Sequence, residues 1–144
     1  MAIRDISKKP YIIDRDNNVS IGLDLPLRKS GGPSGWFATS NTTIKAVKNN
    51  VKSLLLTQQG ERLMQPNLGL NLRKYLFEQL TPDTIIQIEN DIVDSFAFWL
   101  PFVDLRGLEV SESNSNQNGI DISVTFNIKK DPRTMESVQV SIGE

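Results

Sequence analysis

The chain of 144 residues contains no cysteine and no histidine. Without cysteine there is no disulfide, no thiol nucleophile and no thiolate-bound zinc or iron–sulfur centre. Without histidine, the side chain that most often serves as general base near neutral pH and as transition-metal ligand is gone. An excess of either charge is also missing: 16 basic residues face 17 acidic ones, for a net charge of -1. That balance gives no bulk attraction to nucleic acid or to acidic membranes. The longest apolar runs, such as residues 96–100, fall far short of the ~20 residues that cross a bilayer. Residues 1–10 carry charges with no apolar stretch behind them, so no signal peptide is expected. These absences predict a chain made and folded in a cytoplasm, with no cofactor, no nucleic-acid partner and no membrane partner.

What is present reads as a single small α+β domain, with 38% apolar and 23% charged residues. Residues 1–18 mix charges, Pro10 and a short apolar patch, and are expected to form a flexible arm ahead of a domain over 19–144. Val19, Ile21, Leu23 and Leu25 alternate with polar residues and Gly22 up to Pro26, the pattern of a short extended strand. Residues 30–35 form a glycine-rich loop by composition, and Trp36 and Phe37 behind it are expected to anchor its far end.

A first helix is predicted over residues 41–59, with Ser40 or Asn41 as cap and Gly60 as stop. Inside it Ile44, Val47, Val51 and Leu54 repeat at three, four and three residues, a heptad-like seam widened by Leu55 and Leu56. Lys45, Lys48 and Lys52 form a basic stripe that reads as a solvated face. Gly60, Pro66 and Gly69 punctuate an irregular stretch, and residues 72–78 predict a short helix. A second helix opens at Thr81 as cap with Pro82 in its first turn, and Pro101 ends it at Leu100. Its apolar stripe is Ile85, Ile88, Ile92 and Phe96, with Trp99 at the end. Strands follow as an antiparallel β-meander: residues 103–110 with a bulge at Gly107, residues 120–128 after an Asn118–Gly119 turn, and residues 138–142 after a turn over 130–133.

Little of this carries chemistry. Glu61, Glu78, Glu89 and Asp91 could supply a carboxylate pair for glycoside hydrolysis, but Glu89 and Asp91, two apart on a helix, do not share a face. The glycine-rich loop lacks the lysine of a phosphate loop, and the Asp14, Asp16, Asn17, Asn18 cluster lacks the glycine and terminal glutamate of a calcium loop. Arg62, just after Gly60, is expected to bond helix-end carbonyls or a carboxylate.

Residues 21–27 (Ile-Gly-Leu-Asp-Leu-Pro-Leu), residues 50–57 (Asn-Val-Lys-Ser-Leu-Leu-Leu-Thr), Gly60-Glu61-Arg62, Pro66, Gly69 and Leu76-Phe77-Glu78 occur in one order and spacing. In that order the chain resembles the baseplate wedge and sheath-initiator family of contractile-tailed phages, which has relatives in type VI secretion baseplates and other contractile injection systems. The resemblance runs from about residue 20 to residue 103. It implies a structural subunit that is not an enzyme, assembled in the host cytoplasm and then resident in the virion tail baseplate. Its implied partners are larger baseplate wedge subunits and the tail sheath protein, with the tail tube or central hub as further candidates. Ile44, Val47, Val51, Leu54 and Leu55 would then join a wedge helical bundle. Gly60, Glu61, Arg62, Pro66, Gly69, Trp99 and Pro101 would be the structural family motif. Val138, Gln139, Val140, Ser141 and Ile142 would be the strand on which sheath polymerisation starts. Leu100 and Phe102 depart from the family's Glu-Pro-Arg motif, so contacts of that acid and that arginine do not carry over. The alternatives are a subunit of a type VI secretion or other contractile injection baseplate, or a tail-associated peptidoglycan hydrolase.

Overall fold

The structure, a computed structural model, describes residues 19–30, 35–113 and 119–143. The arm expected over residues 1–18 and most of the hairpin tip before Gly119 lie outside the described residues. In chain order the elements are β1 (Gly22–Leu23), β2 (Thr39–Ser40), α1 (Thr43–Leu56), a 3-10 helix (Leu72–Phe77), α2 (Pro82–Trp99), β3 (Val103–Glu112), β4 (Ile120–Ile128) and β5 (Asp131–Ile142). The expected α+β class holds: two main helices precede a three-stranded antiparallel sheet in the order β3-β4-β5, and β1 and β2 pair apart from it.

α1 is shorter than its periodicity suggested. Thr42 takes the cap position without a side-chain cap bond, and Thr57 is already extended. Both the N–H and the Oγ1 hydroxyl of Thr57 donate to the Ser53 carbonyl, at 2.9 and 2.6 Å, so threonine chemistry closes the helix before Gly60 is reached. α2 begins as its sequence dictates: Thr81 Oγ1 accepts from the Thr84 N–H at 3.3 Å, Pro82 fills the first turn, and Asp83 faces the positive helix end. Tyr75, buried in the 3-10 helix, donates its hydroxyl to Asp91 at 2.7 Å and fixes that turn to α2. Lys74 joins the same carboxylate at 3.4 Å.

One face of the sheet makes the core. Ile122, Val124 and Phe126 of β4 pair with Val110, Leu108 and Leu105 of β3 on one side. On the other side Ile122 and Val124 pair with Val140 and Val138 of β5. This layer packs beneath Val47, Val51, Leu54 and Leu55 of α1 and Ile88, Ile92 and Phe96 of α2. The bulge appears where Gly107 foretold it, with Arg106 as the extra residue between Leu105 and Gly107. Asn127 is buried there, and with its amide in the orientation that satisfies both groups it donates to the Asp104 carbonyl and accepts from Arg106 Nε, each at 3.2 Å.

Three expectations need correction. β5 is one strand from Asp131 onward, with the turn at Lys129 and Lys130. The proline expected to break it, Pro132, falls in a register shift: the ladder passes from Met135 opposite Asn127 to Asp131 opposite Ile128, so Pro132 displaces no paired donor. Trp36 and Phe37 anchor nothing in the core: they are 76% and 53% exposed, and Lys29 Nζ stacks 5.2 Å above the Trp36 ring. The alternation around β1 also runs opposite to its apolar pattern. Val19, Ile21 and Leu23 point outward, and Asp24, at 5% exposure, is the buried residue. A buried carboxylate needs charged or donor partners. Arg28 Nη2 and Lys45 Nζ supply them at 2.9 and 3.3 Å.

Candidate assembly interface

The family-motif residues build a loop rather than a pocket. Between α1 and the 3-10 helix the chain doubles back, with the Leu70 N–H on the Thr57 carbonyl at 3.0 Å and the Gly60 N–H on the Pro66 carbonyl at 2.7 Å. Glu61 turns its carboxylate back to accept from the Gln58 N–H at 3.1 Å. Gly60 and Gly69 adopt φ of 89° and 106°, where a side chain is strained. At Gly69 a β-carbon would also run into the Thr57 carbonyl. The loop displays Leu63 and Met64 at its tip, 96% and 95% exposed. The expectation for Arg62 is not met. Arg62 is exposed, and no side-chain bond to it is formed among the described residues; the segment's carbonyls are met by backbone N–H groups instead.

The seam expected to meet partner helices is interior to this chain. Val47, Val51, Leu54 and Leu55 are 6%, 0%, 5% and 2% exposed, packed on the sheet, and Ile44 is half-buried against the same cluster. A small domain has few apolar residues with which to close its sheet, and these are the ones it uses. Other apolar groups are left outward, among them Leu56, Leu63, Met64, Phe77, and on α2 Ile86, Val93 and Phe98. Ile86 and Val93, seven residues apart, lie on one outer face of α2. That spacing is legible in the sequence, but the stronger stripe through Ile88 and Ile92 hid it.

Trp99 packs partly buried against the core, edge-to-face with Phe98 at 4.9 Å between ring centres. Pro101 is exposed just beyond the helix. Leu100, standing where the family's acid is expected, is buried in the core, and Phe102, in the arginine's place, is 41% exposed.

The terminal strand supplies the second surface. Among the described residues β5 pairs with β4 alone, and no strand lies along its other edge. Val138 and Val140 point into the core, Gln139 and Ser141 away from it, and Ile142 is half-buried. No backbone hydrogen bond reaches that outer edge over residues 136–142 from any other described segment. Beside it runs a groove of about 580 Å³, walled by Ile44, Lys45, Lys48 and Lys52 of α1, by residues 136–139 of β5, and closed by Asp24 and Leu25. Lys48 Nζ spans the groove to Glu136 at 3.3 Å. Arg28 beside Asp24 holds its carboxyl below the usual aspartate value; burial works against this, and Lys45 adds to it.

The four carboxylates weighed for hydrolysis are dispersed. Glu61 serves its loop, Asp91 accepts from Tyr75 and Lys74, Glu78 is exposed and Glu89 half-buried on its helix. Among the described residues no group of three or more acidic side chains could hold a metal ion, and no helix is long and apolar enough to cross a membrane.

Comparison with known proteins points the same way. Residues 42–133 match the family model for baseplate wedge protein gp25. The chain is similar to baseplate wedge protein gp25 of Enterobacteria phage T4, 23% identical over 69% of this chain and 74% of the relative. Its fold is similar to a chain of the anti-feeding prophage baseplate, with a TM-score of 0.63 at 21% identity over 74% of this chain and 83% of that one. A chain of the type VI secretion baseplate complex gives a TM-score of 0.57 at 17% identity, over 69% and 91%. A Geobacter sulfurreducens protein described as a candidate tail lysozyme gives 0.64 at 18% identity, over 73% and 94%.

Proposed function

The chain belongs to the baseplate wedge protein gp25 family, and from that membership we propose that it is a structural wedge subunit on which tail sheath polymerisation begins by strand addition. The observation that carries the reading is the outer edge of β5, where no described segment other than β4 bonds the backbone over residues 136–142. Such an edge is a template for another chain: backbone bonds give affinity, and alternate side chains give register. A sheath subunit inserting an extended segment beside β5 would continue the sheet, and the next ring would build on that first one.

Attachment to larger wedge subunits falls to the exposed apolar groups, with the Leu63–Met64 loop tip foremost. Two large apolar side chains held out on a loop tied at both ends need little backbone ordering on binding, so their burial is offset mainly by lost rotamer freedom. The outer face of α2 at Ile86 and Val93 offers a helical contact of the kind expected earlier of α1. The hub or tube as a further contact has no surface of its own assigned to it.

The reading is non-enzymatic. The Geobacter neighbour speaks to the fold alone at 18% identity, and the dispersed carboxylates favour no hydrolytic site. A zymogram of the purified protein on peptidoglycan tests this, a cleared band counting against it. The deciding experiment for the main reading is co-purification with the candidate large wedge subunits, followed by addition of sheath protein. Sheath that polymerises equally well on wedges lacking this subunit would overturn it.

A further inference from the structure

The groove between α1 and β5 has an uneven charge. Lys45, Lys48 and Lys52 line its helical wall, and among the described residues only Asp24 and Glu136 oppose them. Asp24 is shared between Lys45 and Arg28, and Glu136 is taken by Lys48. Lys52 lines the same groove half-buried, and no ion pair or hydrogen bond to its ammonium is formed among the described residues. The lysine spacing of three and four residues keeps all three ammoniums on one side of α1. That side overlooks the edge where a fourth strand would lie.

A strand added beside β5 presents alternate side chains to the helix side of the sheet and to the far side. The helix-side positions nearest this edge would meet the lysine wall, since Val138 and Val140 already fill the apolar core further in. We propose that the segment added to β5 is an acidic one, carrying carboxylates at alternate positions that face α1, with Lys52 as the cation that selects it. The inference rests on the strand-addition reading and narrows it to a partner chemistry. Neutral or basic segments of equal β-propensity form the same backbone ladder but leave Lys52 unpaired or repelled. Lys45 and Lys48, half-exposed and held by single carboxylates, can turn toward the incoming charge without opening the core.

The test uses the full chain and three labelled ten-residue peptides with blocked ends, alternating valine with glutamate, with glutamine or with lysine. Binding is followed by fluorescence anisotropy at low and high salt. The glutamate peptide is expected to bind about fivefold tighter than the glutamine peptide at low salt, as one or two partly exposed ion pairs allow. The lysine peptide should bind weakest, and high salt should level the three. Lys52→Glu should remove or reverse the preference while the protein keeps its circular dichroism, and Lys52→Arg should retain it. Equal binding of the glutamate and glutamine peptides, both abolished by Gln139→Pro, would overturn the acidic preference and leave strand addition standing. Binding of all three peptides unaffected by proline at Gln139 and at Ser141 would overturn strand addition, and the inference with it.

Discussion

Gly69 lays its bare α-carbon against the carbonyl of Thr57, at a φ of 106° and with no space for a β-carbon. The two residues close the loop that carries Leu63 and Met64, and the Leu70 N–H completes the closure on the same Thr57 oxygen. Gly69→Ala must therefore both strain the backbone and push the loop from the end of α1. The expected loss is about 2–4 kcal/mol, read as a lowered midpoint in urea. Gly60→Ala is the control. It has the same sign of φ but open space around it, so it should cost only about 1 kcal/mol. Equal effects would show that the Thr57 contact is not what demands glycine.

Arg62 sits inside the same loop and gives the opposite forecast. Its side chain is exposed and makes no bond among the described residues, so Arg62→Ala should change stability by less than about 0.5 kcal/mol. If sheath or wedge assembly nevertheless fails with this variant, the arginine serves a partner rather than the fold.

Val51 is fully buried beneath the sheet and Leu63 almost fully exposed, which separates core from contact surface. Val51→Asp buries an unpaired carboxylate and should cost more than about 3 kcal/mol, enough to unfold a small domain near its limit. Leu63→Asp and Met64→Asp should leave circular dichroism and melting unchanged. They should nevertheless break co-purification with the larger wedge subunits. Wedges that form normally with both substitutions would move the contact elsewhere, with the Ile86 and Val93 face of α2 next to be tested.

The sequence made the order of elements legible because each boundary had a local cause: Thr81 and Pro82 at the start of α2, Pro101 after its end, Gly107 at the bulge. The strict alternation of β4 placed the core face of the sheet directly. What it hid is non-local. Whether the α1 seam faces a partner or its own sheet depends on how much apolar area the rest of the chain supplies, and no spacing within α1 encodes that. The burial of Asp24 against the local apolar pattern depends on Lys45, twenty-one residues away, and on Arg28. The exposure of Leu63 and Met64 depends on Gly69 reaching Thr57.

Asp24 gives the pH dependence a sign. Its carboxyl is held below the ordinary value chiefly by Arg28, with Lys45 assisting against the opposing effect of burial. A group lowered on folding stabilises the fold above its unfolded pKa and loses that contribution as pH falls toward the native value. Stability should therefore be level from neutral pH downward until the ordinary aspartate range is entered, and then fall. Asp24→Asn should lower the melting temperature at pH 7 and flatten the acid limb of the curve. An unchanged acid limb would mean that other carboxylates carry it.

The β5 edge carries the proposed function and can be tested at Gln139 and Ser141 without touching the core, with Val140 as the core position between them. Gln139 and Ser141 point away from the helices, between the buried Val138 and Val140. The register sets Gln139 opposite Ser123 and Ser141 opposite Asp121 on β4. In an antiparallel strand successive N–H groups alternate between the two neighbours, so proline at one position removes a donor to β4 and proline at the next a donor to the outer edge. Substituting residues 139, 140 and 141 singly by proline therefore gives a built-in contrast. Variants that lose an inner donor should melt lower by about 3 kcal/mol or more, and variants that lose an outer donor should melt nearly as the parent. Only the second kind isolates the assembly step: baseplates carrying a stable outer-edge variant should bind wedge partners normally yet start no sheath. Sheath of normal length on such baseplates would mean that polymerisation begins on another surface, since the variant keeps its fold and lacks only the edge donor that strand addition requires.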